Sequence, residues 1–179
     1  DRPPRVLDVA TGGGDVPVAL ARRARRAGLV VEIAGCDVSA TALGYAREQA
    51  RRHDVPVDFV RLDALRDPLP GDYDLLTCGL FLHHLARDEA TQVLGKMAEA
   101  AGRCVLSSDL LRGPLGMLLA AVAPRLLTRS RIVHVDAVKS VRAAFTLEEA
   151  RRLTAEAGMS DARFKVRWPM RFLMRWDKP

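Results

Sequence analysis

Three consecutive glycines, Gly12, Gly13 and Gly14, lie between two carboxylates in LDVATGGGD, residues 7–15. What such a loop can hold is decided by charge. A nucleoside-triphosphate loop needs G-x-x-x-x-G-K-[ST], and neither lysine nor serine follows Gly14. A dinucleotide loop needs G-x-G-x-x-G; Gly12 and Gly14 supply two of those glycines, but Pro17 stands at the third position. A pyrophosphate seated here would meet Asp8 and Asp15 beside its own negative charge. A ligand bearing an ammonium and a sulfonium would be attracted instead.

Other strand ends extend the pattern. Asp37 closes VVEIAGCDVS (30–39), where a carboxylate can accept both hydroxyls of a ribose; that geometry would serve NAD equally. Asp63, in RLDAL, is placed to accept from an adenine amino group. Any one of these aspartates could serve a turn or a cap, but three at successive strand ends point to a nucleoside with a cationic tail, as in S-adenosylmethionine. His83 and His84 follow the fourth strand, where a substrate would enter, and either could take a proton near neutral pH. In the bland alternative one packs beneath the cofactor and the other caps the next helix. His134 is a second candidate base, and His53 reads as helix surface. Two adjacent histidines make a poor metal site, so no metal is expected.

The elements that must position these residues alternate. RVLDVA (5–10) reads as a buried strand. A helix follows, capped by Asp15, with Val16, Leu20, Ala24 and Ala27 on its inward face and Gly28 ending it. After the strand 30–39, Ser39 caps a helix over 40–53. Strands are expected at 57–64, 73–82 and 103–111. A helix over 88–101 turns Val93, Leu94, Met97 and Ala101 inward. Residues 112–145 break the rhythm, with an apolar helical piece and then TRSRIVHVDAVKSVRAAF, which has no clean period. Thr146 and Glu149 form a capping box on a helix reaching Gly158. ARFKVRWPMRFLMRWDKP ends the chain as two strands around a turn at Trp168-Pro169. Such alternation implies an α/β fold: a doubly wound, mostly parallel seven-stranded sheet with a C-terminal antiparallel hairpin.

Composition bounds the rest. The 179 residues, 49% apolar and 28% charged, suit one globular domain over 1–179, with 112–145 as a lid or substrate segment. The chain opens at Asp1 without methionine, so a natural N-terminal segment is expected upstream. The net charge of +6 comes largely from arginines on helix faces, as in RRARR (22–26), without interleaved aromatics, which disfavours nucleic acid as a partner. No apolar run is long enough for a transmembrane segment. An apolar helix followed by Arg125, Arg129 and Arg131 keeps a membrane-surface role open. Cys36, Cys78 and Cys104 are widely spaced, so reduced thiols and a cytoplasmic location are expected.

In order and spacing, LDVATGGGD, GCDVS, RLDAL and YDLLTCGLFLHHL resemble the class I S-adenosylmethionine-dependent methyltransferases over nearly the whole chain. The final WPMRFLMRW is similar to that family's antiparallel strand pair. Ala10 stands where the usual first motif has glycine. Ala-Thr before the glycines resembles the branch that methylates ubiquinone and menaquinone precursors. VHVDAVKSVRAAFTLEEARRL, with RFLMRW after it, resembles small bacterial methyltransferases associated with polyketide synthases. The resemblance implies a Rossmann-like fold and S-adenosylmethionine as cofactor. It places Asp8 and the backbone of Ala10, Gly12 and Gly14 at the methionine end and Asp37 on ribose, with Val38 also in contact with the cofactor. Asp63 and Ala64 would face adenine, and Gly79 would lie near the methionyl amino group.

The same resemblance narrows the acceptor. Methyltransferases acting on amino groups of bases or glutamine carry [DN]-P-P-[YF] after strand four, where this chain has TCGLFLHH. It also lacks a Pro-Cys pair for attack on a pyrimidine, and Cys78 is expected to point into the sheet. The implied activity is methyl transfer to a small, fairly apolar acceptor, foremost a phenolic or polyketide hydroxyl. Alternatives are C-methylation of a quinone-precursor ring and a non-catalytic cofactor-binding partner protein. An RNA or protein methyltransferase and a dehydrogenase are more distant readings. An oligomer is compatible with the sequence.

Overall fold

The computed structural model describes residues 2–128 and 130–179, and Arg129 lies outside them. Strands β1 (Arg5–Val9), β2 (Glu32–Asp37), β3 (Asp58–Arg61), β4 (Leu75–Gly79), β5 (Cys104–Leu110), β6 (Arg163–Arg167) and β7 (Arg171–Asp177) form one sheet. Its order is β3-β2-β1-β4-β5-β7-β6. The first five strands run parallel, and β7 joins β5 antiparallel and continues the hairpin to β6. The expected architecture is therefore observed. In such a sheet ligands gather outside the carboxyl ends of the strands where the order reverses, here between β1 and β4.

Helices α1 (Asp15–Arg26) and α2 (Ala40–Arg52) cover one face, where Val6, Ile33 and Phe59 pack with Val18, Ala21, Leu43 and Ala46. Helices α3 (Arg87–Ala100) and α6 (Leu147–Glu156) cover the other, with Leu76, Val105, Phe172 and Met174 beneath Val93, Leu94, Met97 and Leu153. The inward residues expected on α3, Ala101 included, are all buried. Ser39 caps α2 by accepting from the Ala42 N–H at 3.2 Å. Thr146 and Glu149 form the reciprocal capping box of α6.

Five expectations need correction. Helix α1 has Gly14, not Asp15, at its N-cap, and Asp15 is its first residue. Its buried face is Pro17, Val18, Ala21 and Ala24 rather than the expected Val16, Leu20, Ala24 and Ala27, with Val16 48% exposed. Strand β3 stops at Arg61, so Asp63 sits in the following turn. Strand β4 stops at Gly79, and Leu82–His84 form a 3-10 turn. Within 112–145, α4 (Pro114–Leu127) is followed by a second regular helix, α5 (Arg131–Ala143). Its period was hard to see because two of its apolar residues, Val133 and Val135, are exposed while Val141 is buried, so apolar side chains lie on more than one face.

Candidate active site

The glycine loop is built on a buried carboxylate. Asp8 lies inside β1 opposite Thr77 of β4 and is 3% exposed. It accepts hydrogen bonds from the hydroxyls of Thr11 at 2.7 Å and Thr77 at 2.6 Å. Burial pushes its carboxyl up to about 6, against the opposing pull of the two hydroxyls. Thr11 can reach Asp8 because residue 35 is glycine: a Cβ there would lie 2.9 Å from the threonine side chain. Asp8 therefore supports the loop from below rather than lining its open surface.

The loop backbone is strained where the sequence departs from its usual glycine. Ala10 has φ of +55°, a left-handed conformation that side chains other than glycine rarely adopt. Gly12 has φ of +53°, and a Cβ on it would meet nothing within 4 Å, so its face is open to a ligand. Gly14, at φ of +79°, is required twice, because a Cβ would also come within 2.8 Å of the Ala46 methyl.

Asp37 binds this loop to the end of β2. Its Oδ2 accepts from the Gly12 N–H and its Oδ1 from the Ser39 N–H, each at 2.8 Å. An ionised carboxylate has about four acceptor positions, so each oxygen keeps capacity for a hydroxyl. Val38 beside it is 56% exposed. Asp63 is partly engaged by its turn: Oδ1 accepts from the Leu65 N–H at 2.9 Å. Ala64 is buried, and Lys96 holds its loop by donating to the carbonyls of Ala64, Leu65 and Asp67. Gly79 ends β4 with Val16 of α1 in ordinary van der Waals range of its Cα face. Gly12, Asp37, Val38, Asp63, Ala64 and Gly79 thus converge on the carboxyl ends of β1 to β4.

The histidines divide. His83 is 7% exposed, and its Nδ1 lies 2.6 Å from Oδ1 of Asp109, itself 1% exposed on β5. The same carboxylate accepts the backbone N–H of His83 at 3.3 Å and of Leu110 at 2.6 Å. With the Asp109 carboxylate as acceptor, Nδ1 is the donor of this contact. Nε2 makes no hydrogen bond among the described residues. His84 is exposed, and its ring centroid lies 4.0 Å from that of His83 with the two planes tilted by 40°. His134 is elsewhere: its Nε2 lies 2.8 Å from the Thr128 carbonyl and 3.2 Å from that of Pro124, holding the end of α4. His53 is the C-cap of α2. Cys78 is buried, and burial raises its thiol well above the ordinary value, away from nucleophilic duty.

Sequence reasoning missed Asp109 and the Thr11–Asp8–Thr77 bracket. Asp109 had a signal: a carboxylate inside the strand-like run CVLSSDLL is costly to bury without a partner.

A family model described as a methyltransferase domain matches residues 6–102. The demethylmenaquinone methyltransferase of Deinococcus radiodurans is 39% identical over 108 residues, covering 58% of this chain and 42% of that protein. The ubiquinone biosynthesis O-methyltransferase of Bordetella parapertussis is 33% identical over 153 residues, covering 82% of this chain and 61% of that one. The chain thus spans about half the length of these curated relatives. Among solved structures, magnesium protoporphyrin IX methyltransferase from Synechocystis, with bound SAH, aligns at a TM-score of 0.66 and 22% identity over 97% of this chain and 74% of the other. An O-methyltransferase family 2 protein from Planctomyces limnophilus, in complex with apigenin, aligns at 0.70 and 20% identity over 98% and 50%. At these identities the structures speak for the fold.

Proposed function

The chain belongs to the methyltransferase-domain family, and from that premise we propose that it moves a methyl group from S-adenosylmethionine to a hydroxyl of a small, fairly apolar acceptor, phenolic or polyketide-like. The observation that carries this reading is the buried His83–Asp109 pair beside the end of β4. The residues fit the cofactor: Gly12 leaves open space, Asp37 keeps acceptor capacity for two ribose hydroxyls, and Asp63 with Ala64 bounds the adenine side. When bound, S-adenosylmethionine supplies an electrophilic methyl on a sulfonium.

His83 then takes the acceptor's hydroxyl proton on Nε2 while Asp109 holds Nδ1–H and stabilises the resulting imidazolium. The cofactor, held by Gly12, Asp37, Asp63 and Ala64, would supply the methyl for the new C–O bond and would leave as S-adenosylhomocysteine when its C–S bond breaks. Positioning can supply about 7 to 11 kcal/mol of the barrier, so α5, which packs on the 3-10 turn, and α4, which packs on α5, matter as much as the base by keeping the acceptor placed and dry. A second reading, C-methylation of a quinone-precursor ring, is favoured by relatives named for demethylmenaquinone and ubiquinone biosynthesis. Labelled cofactor incubated with a panel of phenols and hydroquinones tests both: an O-linked methyl supports the first reading, a ring-linked methyl the second, and no product opposes either.

A further inference from the structure

Helix α4 carries four large apolar side chains outward. Leu115, Leu118, Val122 and Leu126 are 47%, 60%, 46% and 80% exposed. Their spacing, three and then four residues, aligns them in one stripe along the helix. The antiparallel partner, α5, presents Arg131, Val135, Lys139 and Arg142 outward at spacings of four, four and three, all exposed. None of the three cations pairs with a carboxylate among the described residues, and Asp136 is the one acid on α5. An apolar helix face beside a cationic one, on an antiparallel pair, combines the two attractions of a peripheral membrane contact.

We propose that the α4–α5 pair binds the surface of an anionic lipid bilayer, with the α4 leucines in the acyl boundary and the α5 cations among the headgroups. Charge selects this occupant over a second copy of the chain. A two-fold contact across the same faces would bring the cationic stripes of two molecules, each of net charge +6, toward each other. The 14 residues of α4 span roughly 21 Å, too short to cross the hydrocarbon core, so the contact lies in the interface plane. This inference does not depend on which acceptor is methylated.

The test is flotation of the whole chain with vesicles of pure phosphatidylcholine or of phosphatidylcholine containing phosphatidylglycerol. Partitioning is expected to be on the order of a hundredfold stronger on the anionic vesicles, reflecting three surface cations, and to fall at high salt. Leu118→Glu/Leu126→Glu should lose most of it while melting as the parent does, since both leucines are solvent-facing. Arg131→Glu/Lys139→Glu is the second variant, expected to abolish the lipid-charge preference. Equal partitioning to both vesicles, no binding to anionic vesicles at low salt, or parental binding by both variants would overturn the proposal. So would a dimer in sedimentation velocity that Leu118→Glu/Leu126→Glu dissociates, without vesicle binding.

Discussion

Asp109 and His83 meet at 2.6 Å across two neighbouring strand ends, β5 supplying the carboxylate and the turn after β4 the imidazole. Both are buried, so neither hydrogen bond is shared with bulk water. In the reaction proposed above, the pair orients the ring through Nδ1 and leaves Nε2 to face the acceptor.

Asp109→Asn should keep the local shape and lose the tautomer control. Turnover is expected to fall by about 10² to 10⁴, with S-adenosylmethionine affinity within a few-fold of the parent by calorimetry. His83→Gln should fall comparably, and the double variant no further, because the two act as one unit. Additive losses would mean that they act separately.

Asp37→Ala should weaken cofactor binding by about a hundredfold, two charge-assisted hydrogen bonds to ribose being lost. The fold should survive, since the released donors, Gly12 N–H and Ser39 N–H, lie at the partly exposed loop. Titration calorimetry beside a thermal melt separates the two effects.

Asp8 gives stability a pH dependence of definite sign. Its folded value, about 6, lies above the ordinary 3.8 that governs the unfolded chain. Between about pH 4 and 6 the folded protein therefore holds a proton the unfolded chain has lost, and stability falls as pH rises through that window, by about 3 kcal/mol. Asp8→Asn, whose amide still serves both threonine hydroxyls, should flatten this slope and raise stability at neutral pH. Denaturant titrations at several pH values read it directly.

Ala10→Gly should relieve the left-handed strain at φ of +55°. The gain, about 1 to 2 kcal/mol of relief less about 0.5 to 1 kcal/mol of added chain entropy, is expected near 0.5 to 1 kcal/mol. Gly14→Ala should do the reverse and more, because its Cβ would strike Ala46 and Phe59. Melting temperatures of the two variants should move in opposite directions.

Much of this was legible in the residues themselves. The alternation of apolar runs and amphipathic helices gave the sheet, because buried parallel strands and helices that cover them leave different periods. The loop glycines were legible as a loop; that Gly14 rather than Asp15 caps α1 was not, because the cap depends on a left-handed backbone that two adjacent glycines could equally have supplied. Asp8 read as a ligand carboxylate, yet its two hydroxyl partners come from Thr11 and from Thr77, sixty-nine positions away, a pairing that only strand register creates. Asp109 stayed hidden for the same reason, its partner lying 26 residues earlier. Helix α5 was missed because Val133 and Val135 face solvent while Val141 is buried, so its apolar residues do not fall on a single face.

The most direct test is a mass-spectrometric assay of methyl transfer from S-adenosylmethionine to phenols and hydroquinones, run with the parent chain and Asp109→Asn side by side. The expected result is an O-methylated product from the parent and its near disappearance in the variant, with the cofactor still bound by both. A parent chain that binds the cofactor yet methylates none of the acceptors, or a variant that turns over at the parental rate, would contradict it.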